Sequence, residues 1–271
     1  MKYFDIEGKV VVITGGAGIL CSEIAKAIGE FGGRIAILDI SEGGIREVSE
    51  DLDKRNIENI GVKTDVENRK SLLEAKEKIL KKFGKVDVLI NGAGGNKALA
   101  TTGPNLSFFE LQEKAVREVI DLNFLGTFFA SQVFGEVIAE RGEGVIINIS
   151  SMSAFSPLTR VPVYSAAKAA VSNFTKWLAV YMSQNYSDKI RVNAIAPGFF
   201  LTEQNKFLLI DEKTSKLTER GKAIIEHTPM KRFGIPEDLI STVIWLISPG
   251  SKFIHGVVIP IDGGFSAFGG V

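Results

Sequence analysis

The segment Val10-Val11-Val12-Ile13-Thr14-Gly15-Gly16-Ala17-Gly18-Ile19-Leu20 decides the fold, because glycines join a strand pattern to a helix pattern. Four consecutive β-branched residues predict a buried strand. Glycines at a strand-to-helix turn let an anion approach the backbone N–H groups at the positive end of a helix dipole. A merely tight turn is the plainer interpretation. This turn, however, leaves the first strand of a βαβ unit, which favours a pyrophosphate site.

The alternation of apolar runs and helical periodicity continues along the chain. Strands are predicted at about 10–13, 34–38, 60–63, 86–90, 144–149, 190–195 and 257–260, and helices at about 19–31, 43–55, 67–82, 108–121, 123–140, 162–185 and 236–247. This pattern predicts an α/β fold, a single Rossmann-type doubly wound parallel sheet of about seven strands with helices on both faces. We expect residues 1–271 to form one dinucleotide-binding and catalytic domain, with a substrate lid at about 199–235.

Composition excludes several classes of function. Thirty-two Lys and Arg balance 32 Asp and Glu in 271 residues, so no overall field attracts nucleic acid or an anionic membrane. One cysteine, Cys21, excludes an internal disulfide framework, and two distant histidines argue against a zinc site. No apolar run reaches the length of a membrane span, and the N-terminus lacks a signal-peptide pattern. We therefore expect a cytoplasmic protein without a metal, a nucleic-acid partner or a membrane partner.

The second predicted strand ends in Asp39, 24 residues after Gly15. A carboxylate there can accept hydrogen bonds from the adenosine ribose hydroxyls and would repel a 2′-phosphate. The next residues, Ile40, Ser41 and Glu42, supply no cation for such a phosphate. The pattern predicts NAD(H) rather than NADP(H) as the cofactor. The alternative is that Asp39 caps the helix that starts near Ser41.

Two further predicted strands also end in residues suited to a ligand, because ligands bind at the carboxyl edge of such sheets. Asp65-Val66 follows the third strand, and Asn91-Gly92-Ala93-Gly94 follows the fourth. Asp65 could accept a hydrogen bond from the adenine amino group, and the glycines could admit the ribose and nicotinamide. Seen alone, either segment could be an ordinary turn.

Tyr164 and Lys168 lie four residues apart in the helix that follows Pro162, so they share one face. A phenol titrates near 10 in water, and we expect the ammonium to lower the pKa of Tyr164 toward neutrality. Ser151, thirteen residues before Tyr164, ends the preceding strand, where its hydroxyl could hold a reacting oxygen. A Tyr-x-x-x-Lys pair alone would be an ordinary surface pair. Its combination with the nucleotide turn and this serine favours catalysis.

These motifs resemble those of the short-chain dehydrogenase/reductase family over essentially the whole chain. The resemblance implies a catalytic tetrad of Asn123, Ser151, Tyr164 and Lys168. Tyr164 would be the acid/base, and Ser151 would polarise the substrate oxygen. Lys168 would hold the nicotinamide ribose and tune Tyr164, while Asn123 would position a water of the proton relay.

The resemblance also matches Pro197-Gly198 and Thr202 to the segment that binds the nicotinamide carboxamide. One departure concerns the family's usual turn, Thr-Gly-x-x-x-Gly-x-Gly, whose later glycines fall on Ile19 and Cys21. Alternatively the turn is locally redrawn around Gly18. The expected cofactor-binding residues are Gly15, Gly18, Ile19, Leu20, Asp39, Asp65, Val66, Asn91, Ala93, Gly94, Tyr164, Lys168, Pro197, Gly198 and Thr202.

Within the family, the altered turn, Ile90-Asn91-Gly92-Ala93-Gly94-Gly95-Asn96 and the tail Gly263-Gly264-Phe265-Ser266-Ala267-Phe268-Gly269-Gly270-Val271 resemble the short-chain type of D-mannonate oxidoreductase, or fructuronate reductase. That resemblance implies interconversion of D-fructuronate plus NADH with D-mannonate plus NAD⁺. It also implies a homotetramer in which the 123–140 and 162–185 helices pack against their copies.

A sugar-acid substrate needs a cation for its carboxylate and polar groups for its hydroxyls. Besides Ser151 and Tyr164, the expected substrate residues are Asn96, Arg160, Gln204 and Asn205. Arg160 could bind the carboxylate bidentately, although a solvated surface arginine is an equally good interpretation. Two alternatives stay open for the function. One is another keto-sugar-acid or polyol dehydrogenase, such as a gluconate 5-dehydrogenase, and the other is a non-catalytic NAD-binding sensor.

Overall fold

A parallel seven-stranded sheet forms the centre of the computed structural model, which describes residues 2–202, 206–211 and 214–270. Its strand order is β3-β2-β1-β4-β5-β6-β7, and each pair of neighbours is parallel. The strands are β1 Val10–Thr14, β2 Arg34–Asp39, β3 Asn59–Lys63, β4 Val88–Asn91, β5 Gly144–Ile149, β6 Ile190–Pro197 and β7 Val258–Ile261. The predicted doubly wound fold is confirmed.

Helices cover both faces of the sheet and bury two apolar cores. The α-helices of the described residues are α1 Ile19–Glu30, α2 Glu42–Lys54, α3 Arg69–Phe83, α4 Glu113–Ile120, α5 Gly126–Arg141, α6 Pro162–Asn185, α7 Lys206–Leu209, α8 Glu219–His227 and α9 Ile240–Ile247. One core joins α1, α2 and α9 to the sheet, and the other joins α3, α5 and α6 to its opposite face. Because both faces are covered, the central strands are apolar throughout rather than alternating.

The order of the strands reverses between β1 and β4, where successive connections turn to opposite sides of the sheet. Thr14 pairs with Asn91, and Asn91 pairs with Asn148, so these strands end at one level. Ligands of open α/β sheets bind beyond the carboxyl ends of the strands at such a reversal. The topology therefore indicates where a site should lie.

Two parts of the helix prediction were wrong. The helix expected at about 108–121 is split. A 3-10 turn over Phe108–Glu110 precedes it, and the extended ψ of 130° at Leu111 separates this turn from α4. The 199–235 stretch, as expected, contains no strand of the sheet, but it does contain α7 and α8. The short α7 and α8 fell below the length at which periodicity identifies a helix.

Helix α4 runs into α5 through a π-helical segment, Asp121–Leu125. The combined run Glu113–Arg141 is long and apolar enough to cross a membrane by length and composition. More than half of its most apolar 18-residue window is buried inside the protein, as in the core helix of a globular domain. A single wide turn of this kind in a helix frequently marks a functional site.

Candidate active site

The turn between β1 and α1 brings bare backbone to the carboxyl edge of the sheet. Gly15 has φ of +64°, and a Cβ there would lie 2.7 Å from the Cα of Ala93, so no other residue fits without strain. Gly18 is the N-cap of α1, and no side chain caps this helix or places an acid in its first turn. No side chain of the first turn of α1 therefore competes with a bound anion for the positive end of this helix.

Cys21 and Gly92 resolve the departure from the usual glycine pattern. Cys21 lies in the first turn of α1 and is buried. A Cβ on Gly92 would lie only 2.2 Å from the Cys21 Sγ. The absence of a side chain at Gly92, in the loop after β4, therefore leaves room for the Cys21 side chain on α1, where the family usually has glycine. Burial raises the pKa of the Cys21 thiol to about 12, which leaves the thiol neutral and unreactive. The added volume of Cys21 is thus balanced by the glycine at position 92, and the glycine turn between β1 and α1 remains accessible to a ligand.

Asp39 is not the cap of the following helix. Its two carboxylate oxygens accept hydrogen bonds from the N–H of Ala17, at 3.1 Å, and of Ser41, at 3.0 Å. The N-cap of α2 is Ser41, whose hydroxyl accepts from Gly44 N–H at 3.1 Å. Asp39 thus stands half-buried at the end of β2, next to the glycine turn.

Several expected cofactor residues lie beside the cleft rather than on its wall. Asp65 accepts from the N–H of Glu67 at 2.9 Å, and Val66 is buried against Gly126. The Asn91 side chain donates to Ser131 Oγ at 2.9 Å and to Asn148 Oδ1 at 2.8 Å, within a buried network. The N–H of Ala93 donates to Thr14 Oγ1 at 3.2 Å.

For Asn91 the expected cofactor contact stays a prediction, because its side-chain amide is bonded within the protein. The amide points into the protein because Ser131 and Asn148 are both within its reach. Its bonds hold the ends of β4 and β5 in register, so Asn91 supports the floor of the cleft. Sequence position alone could not distinguish the two orientations.

Ser151, Tyr164 and Lys168 meet at the other side of the strand ends. Ser151 follows β5 in an extended conformation; its hydroxyl accepts from Ser153 N–H at 3.2 Å, and it lines the same cleft as the Tyr164 phenol. Lys168 lies one turn further along α6, with Nζ 5.6 Å from the centre of the Tyr164 ring. That Nζ also donates to the carbonyl oxygen of Ile149 at 2.8 Å. Strand β5 and helix α6 therefore hold the three groups together.

The expectation that Lys168 lowers the pKa of Tyr164 was wrong for the protein alone. Burial raises the pKa of the Tyr164 phenol, and the neighbouring Ser151 hydroxyl only partly opposes this shift. Burial also lowers the pKa of the Lys168 ammonium, from 10.5 to about 8. Low polarity around both groups favours their neutral forms.

Asn123 lies in the π-helical segment and is fully buried. Its amide donates to the carbonyl of Gly95 at 2.7 Å and accepts from the N–H of Gly95 at 3.2 Å. A Cβ on Gly94 would lie 2.8 Å from Asn123 Oδ1 and 3.1 Å from Lys168 Nζ. Asn123 therefore fixes the loop after β4 against the lysine, a contact that the sequence did not reveal.

A cleft of about 420 Å³ joins the glycine turn to the Ser-Tyr-Lys group. It is lined by Gly15, Gly18, Ile19, Leu20, Cys21, Asp39, Gly92, Gly94, Gly95, Ile149, Ser150, Ser151, Tyr164, Lys168, Pro197, Gly198, Phe199, Phe200 and Thr202. Sequence reasoning did not identify Gly95, Ile149, Ser150, Phe199 or Phe200. The uncapped start of α1, the glycine turn and the Asp39 carboxylate lie at one end of this cleft, and the Ser-Tyr-Lys group lies at the other. This arrangement fits a dinucleotide that lies along the cleft.

The expected substrate residues are less well placed. Asn96 is exposed and donates to Thr101 Oγ1 at 2.9 Å, and Arg160 is exposed just before α6. Gln204 and Asn205 lie outside the described residues. No cluster of metal-ligating side chains occurs within the described part of the chain.

Comparison with known proteins identifies the family. The short chain dehydrogenase family model matches residues 9–213, and the chain belongs to this family. It is an oxidoreductase that acts on CH–OH and C=O groups. The expected family and the expected nicotinamide dinucleotide are thereby confirmed.

Three similar proteins show which members of the family this chain resembles. An uncharacterized oxidoreductase, UxuB of Bacillus subtilis, is 47% identical over 98% of both chains. The 5-keto-D-gluconate 5-reductase of Escherichia coli is 32% identical over 96% of both chains. A crystal structure from Haemophilus influenzae, provisionally named a D-mannonate oxidoreductase and holding NAD, is 42% identical over 98% of both chains, with a TM-score of 0.92.

Proposed function

We propose that the chain catalyses reversible hydride transfer between NAD(H) and a sugar acid, with D-fructuronate reduced to D-mannonate. The observation that carries this proposal is the convergence of Ser151, Tyr164 and Lys168 in the same cleft as Asp39 and the uncapped start of α1. Similarity to a provisional D-mannonate oxidoreductase and to a 5-keto-gluconate reductase supports the substrate class.

The bound NAD(H) supplies the hydride or accepts it. Within this chain, Ser151 holds the carbonyl or alcohol oxygen through its hydroxyl. Tyr164 gives its phenolic proton to that oxygen during reduction and takes it back during oxidation. A phenol whose pKa is raised by burial is protonated at neutral pH, which suits the reductive direction.

Lys168 and Asn123 act around that centre. Lys168 Nζ, held by the Ile149 carbonyl, lies where it can bond the hydroxyls of a nicotinamide ribose. Asn123 keeps the loop at Gly95 in contact with this lysine, and its assignment to a water of the proton relay stays a prediction. Pro197, Gly198 and Thr202, on the opposite wall, are assigned to the carboxamide.

NAD(H) is the proposed cofactor because Asp39 occupies the end of β2. Its carboxylate is fixed by Ala17 and Ser41 N–H groups, so it cannot swing away from a 2′-phosphate. Desolvating a phosphate beside a fixed carboxylate is unfavourable, whereas ribose hydroxyls can donate to it. Asp65, Val66 and Ala93 stay assigned to the adenine and ribose side as predictions.

We also propose a cytoplasmic homotetramer. On α6, Trp177 and Tyr181 stack with ring centres 4.9 Å apart, and both are exposed in the single chain. Together with Tyr186 they form an aromatic patch beside α5. Such a patch is typical of a protein–protein interface. Light scattering of the purified protein should give four times the mass of one chain, and a monomer would refute the assembly.

A panel of substrates tests the proposed reaction. We would measure NADH oxidation with D-fructuronate, D-tagaturonate and 5-keto-D-gluconate in parallel. Turnover on D-fructuronate with the highest kcat/KM supports the proposal. Preference for 5-keto-D-gluconate would replace the substrate and keep the chemistry. Binding of NADH without turnover of any of the three would favour a non-catalytic NAD sensor.

A further inference from the structure

Ser150 directly follows β5, between Ile149 and Ser151, and lines the cleft without a role in the proposed chemistry. Its side chain is buried. Its N–H donates to the carbonyl of Ile195 on β6 at 2.8 Å, and its hydroxyl donates to the carbonyl of Lys168 on α6 at 3.1 Å. This one residue therefore joins two neighbouring strands to the helix that carries the lysine of the site.

A second buried serine completes the contact. The Ser150 and Ser172 hydroxyls lie 2.6 Å apart, and Ser172 stands one turn beyond Lys168 on α6. A hydroxyl has one hydrogen to donate, and Ser150 uses its own on the Lys168 carbonyl, so Ser172 is the donor to Ser150. The bonds form a chain from Ser172 through Ser150 to the backbone of Lys168, and bonds in such a chain strengthen one another. The chain holds residues 168–172 of α6 on the end of β5.

Lys168 is consequently held by the end of β5 at two points. Its Nζ donates to the carbonyl of Ile149 at 2.8 Å, and its own carbonyl accepts from the Ser150 hydroxyl. The next residue of the chain, Ser151, lines the same cleft as Lys168. Because the two anchors and Ser151 are consecutive residues, a shift of α6 relative to β5 would change the distance between the lysine and the Ser151 hydroxyl.

The stability of the fold gives little reason for two serines at this junction. Burying a hydroxyl pair costs desolvation, and replacing both partners with apolar groups of similar shape is often nearly neutral. The Lys168 carbonyl also lies inside α6, where the N–H of Ser172 is its ordinary helical partner. The serine pair adds a directional bond between the end of the strand and the helical turn that begins with the lysine.

We propose that Ser150 is a positioning residue for Lys168, and that Ser172 supports it in this role. The pair sets where Nζ lies relative to Ser151 and to the cofactor. This inference rests on the proposed function, in which Lys168 bonds the hydroxyls of the nicotinamide ribose, and it deepens that function by assigning the groups that hold the lysine in place. A displacement of about 1 Å at a reacting centre can cost about 100-fold in rate.

The test compares Ser150→Ala and the double variant Ser150→Ala/Ser172→Ala with Thr175→Val, in the full-length enzyme. Thr175 is the matched control because its hydroxyl accepts from Asn148 Nδ2 at 2.8 Å, and so also joins α6 to β5, but seven residues beyond Lys168. We expect Ser150→Ala to lower kcat about 10- to 100-fold and to leave KM for the sugar acid within about twofold. Thr175→Val should lower the midpoint of urea unfolding and keep kcat within about twofold of the wild type.

The double variant separates positioning of the lysine from simple support of the fold. With both hydroxyls removed, neither serine leaves the hydroxyl of the other unpaired, so the urea midpoint should return toward the wild-type value. We expect kcat to stay as low as in Ser150→Ala, because the bond to the Lys168 carbonyl is still missing. Recovery of kcat together with stability would overturn the positioning role and leave the proposed reaction standing.

NADH affinity supplies a readout that needs no turnover. We would titrate NADH by fluorescence into the wild type, Ser150→Ala, Lys168→Met and Ser150→Ala/Lys168→Met. Ser150→Ala should raise the Kd about threefold to tenfold, and it should raise the Kd no further once Lys168 is replaced. No effect of Ser150→Ala, or equal effects in both backgrounds, would overturn the inference. Absence of wild-type turnover on every sugar acid would overturn the proposed reaction, whereas this cycle would still decide the role of Ser150.

Discussion

The two ends of the cleft are built differently. At the cofactor end, positions are set by backbone. Gly15 lies against Ala93, and Asp39 is fixed by two N–H groups. At the proposed substrate end, the side chains expected to bind substrate, such as Asn96 and Arg160, stand exposed on loops. Rigid backbone suits a ligand that every turnover shares, whereas loops can change to accept a different sugar acid.

The largest effect should come from the reacting group between these ends. Tyr164→Phe removes the proton that the substrate oxygen must gain or lose, so we expect kcat to fall about 10²- to 10⁴-fold. NADH affinity should be unchanged, as measured by fluorescence titration. Tyr181→Phe, on the same helix but outside the cleft, is the matched control and should retain full activity. Retained turnover in Tyr164→Phe would remove the phenol from the mechanism.

The substitution Asp39→Ala tests how the cofactor end of the cleft selects NADH over NADPH. Loss of the fixed carboxylate should lower kcat/KM for NADH about 10- to 100-fold and should bring NADPH closer to NADH in efficiency. Steady-state kinetics with both cofactors measure this change. Glu50→Ala, an exposed carboxylate on α2, serves as the control. If the ratio of the two efficiencies did not move, Asp39 would not select the cofactor.

The volume exchange between Cys21 and Gly92 predicts a loss of stability. Gly92→Ala places a methyl group against the Cys21 Sγ and close to the Thr14 carbonyl, so the free energy of unfolding should fall by about 1–3 kcal/mol. Adding Cys21→Ala should recover part of the loss. Gly43→Ala, in open space on α2, should instead gain up to about 1 kcal/mol. Urea unfolding of the wild type, Gly92→Ala, Cys21→Ala and the double variant measures the coupling between the two positions, and strict additivity would contradict the contact.

The smallest effect concerns Lys168 and pH. Its pKa is about 8 in the folded protein against 10.5 as the ordinary value, so between these values the unfolded chain binds more protons. Stability should therefore rise with pH from about 8, by up to about 1 kcal/mol by pH 9, relative to Lys168→Met. Above 9 the buried Cys21, with its pKa raised to about 12, contributes the opposite slope. Parallel slopes in both proteins would show that Lys168 titrates normally.

The sheet was predictable because its strands are buried on both faces and so read as continuous apolar runs. The Ser151, Tyr164 and Lys168 group was predictable because one strand end and one helix turn hold all three. The cleft-lining residues Phe199 and Phe200 were not predictable, because no motif in the sequence places them there. The inward turn of Asn91 was also hidden, because it depends on partners 40 and 57 residues away.

The central claim is direct hydride transfer to a sugar acid. We would incubate the enzyme with D-fructuronate and NADH deuterated at C4, using each of the two C4 stereoisomers, and analyse the product by mass spectrometry and NMR. One isomer should place a single deuterium on the carbinol carbon newly formed in D-mannonate, and the other should place none. Product without deuterium from either isomer, or no D-mannonate at all, would contradict the account.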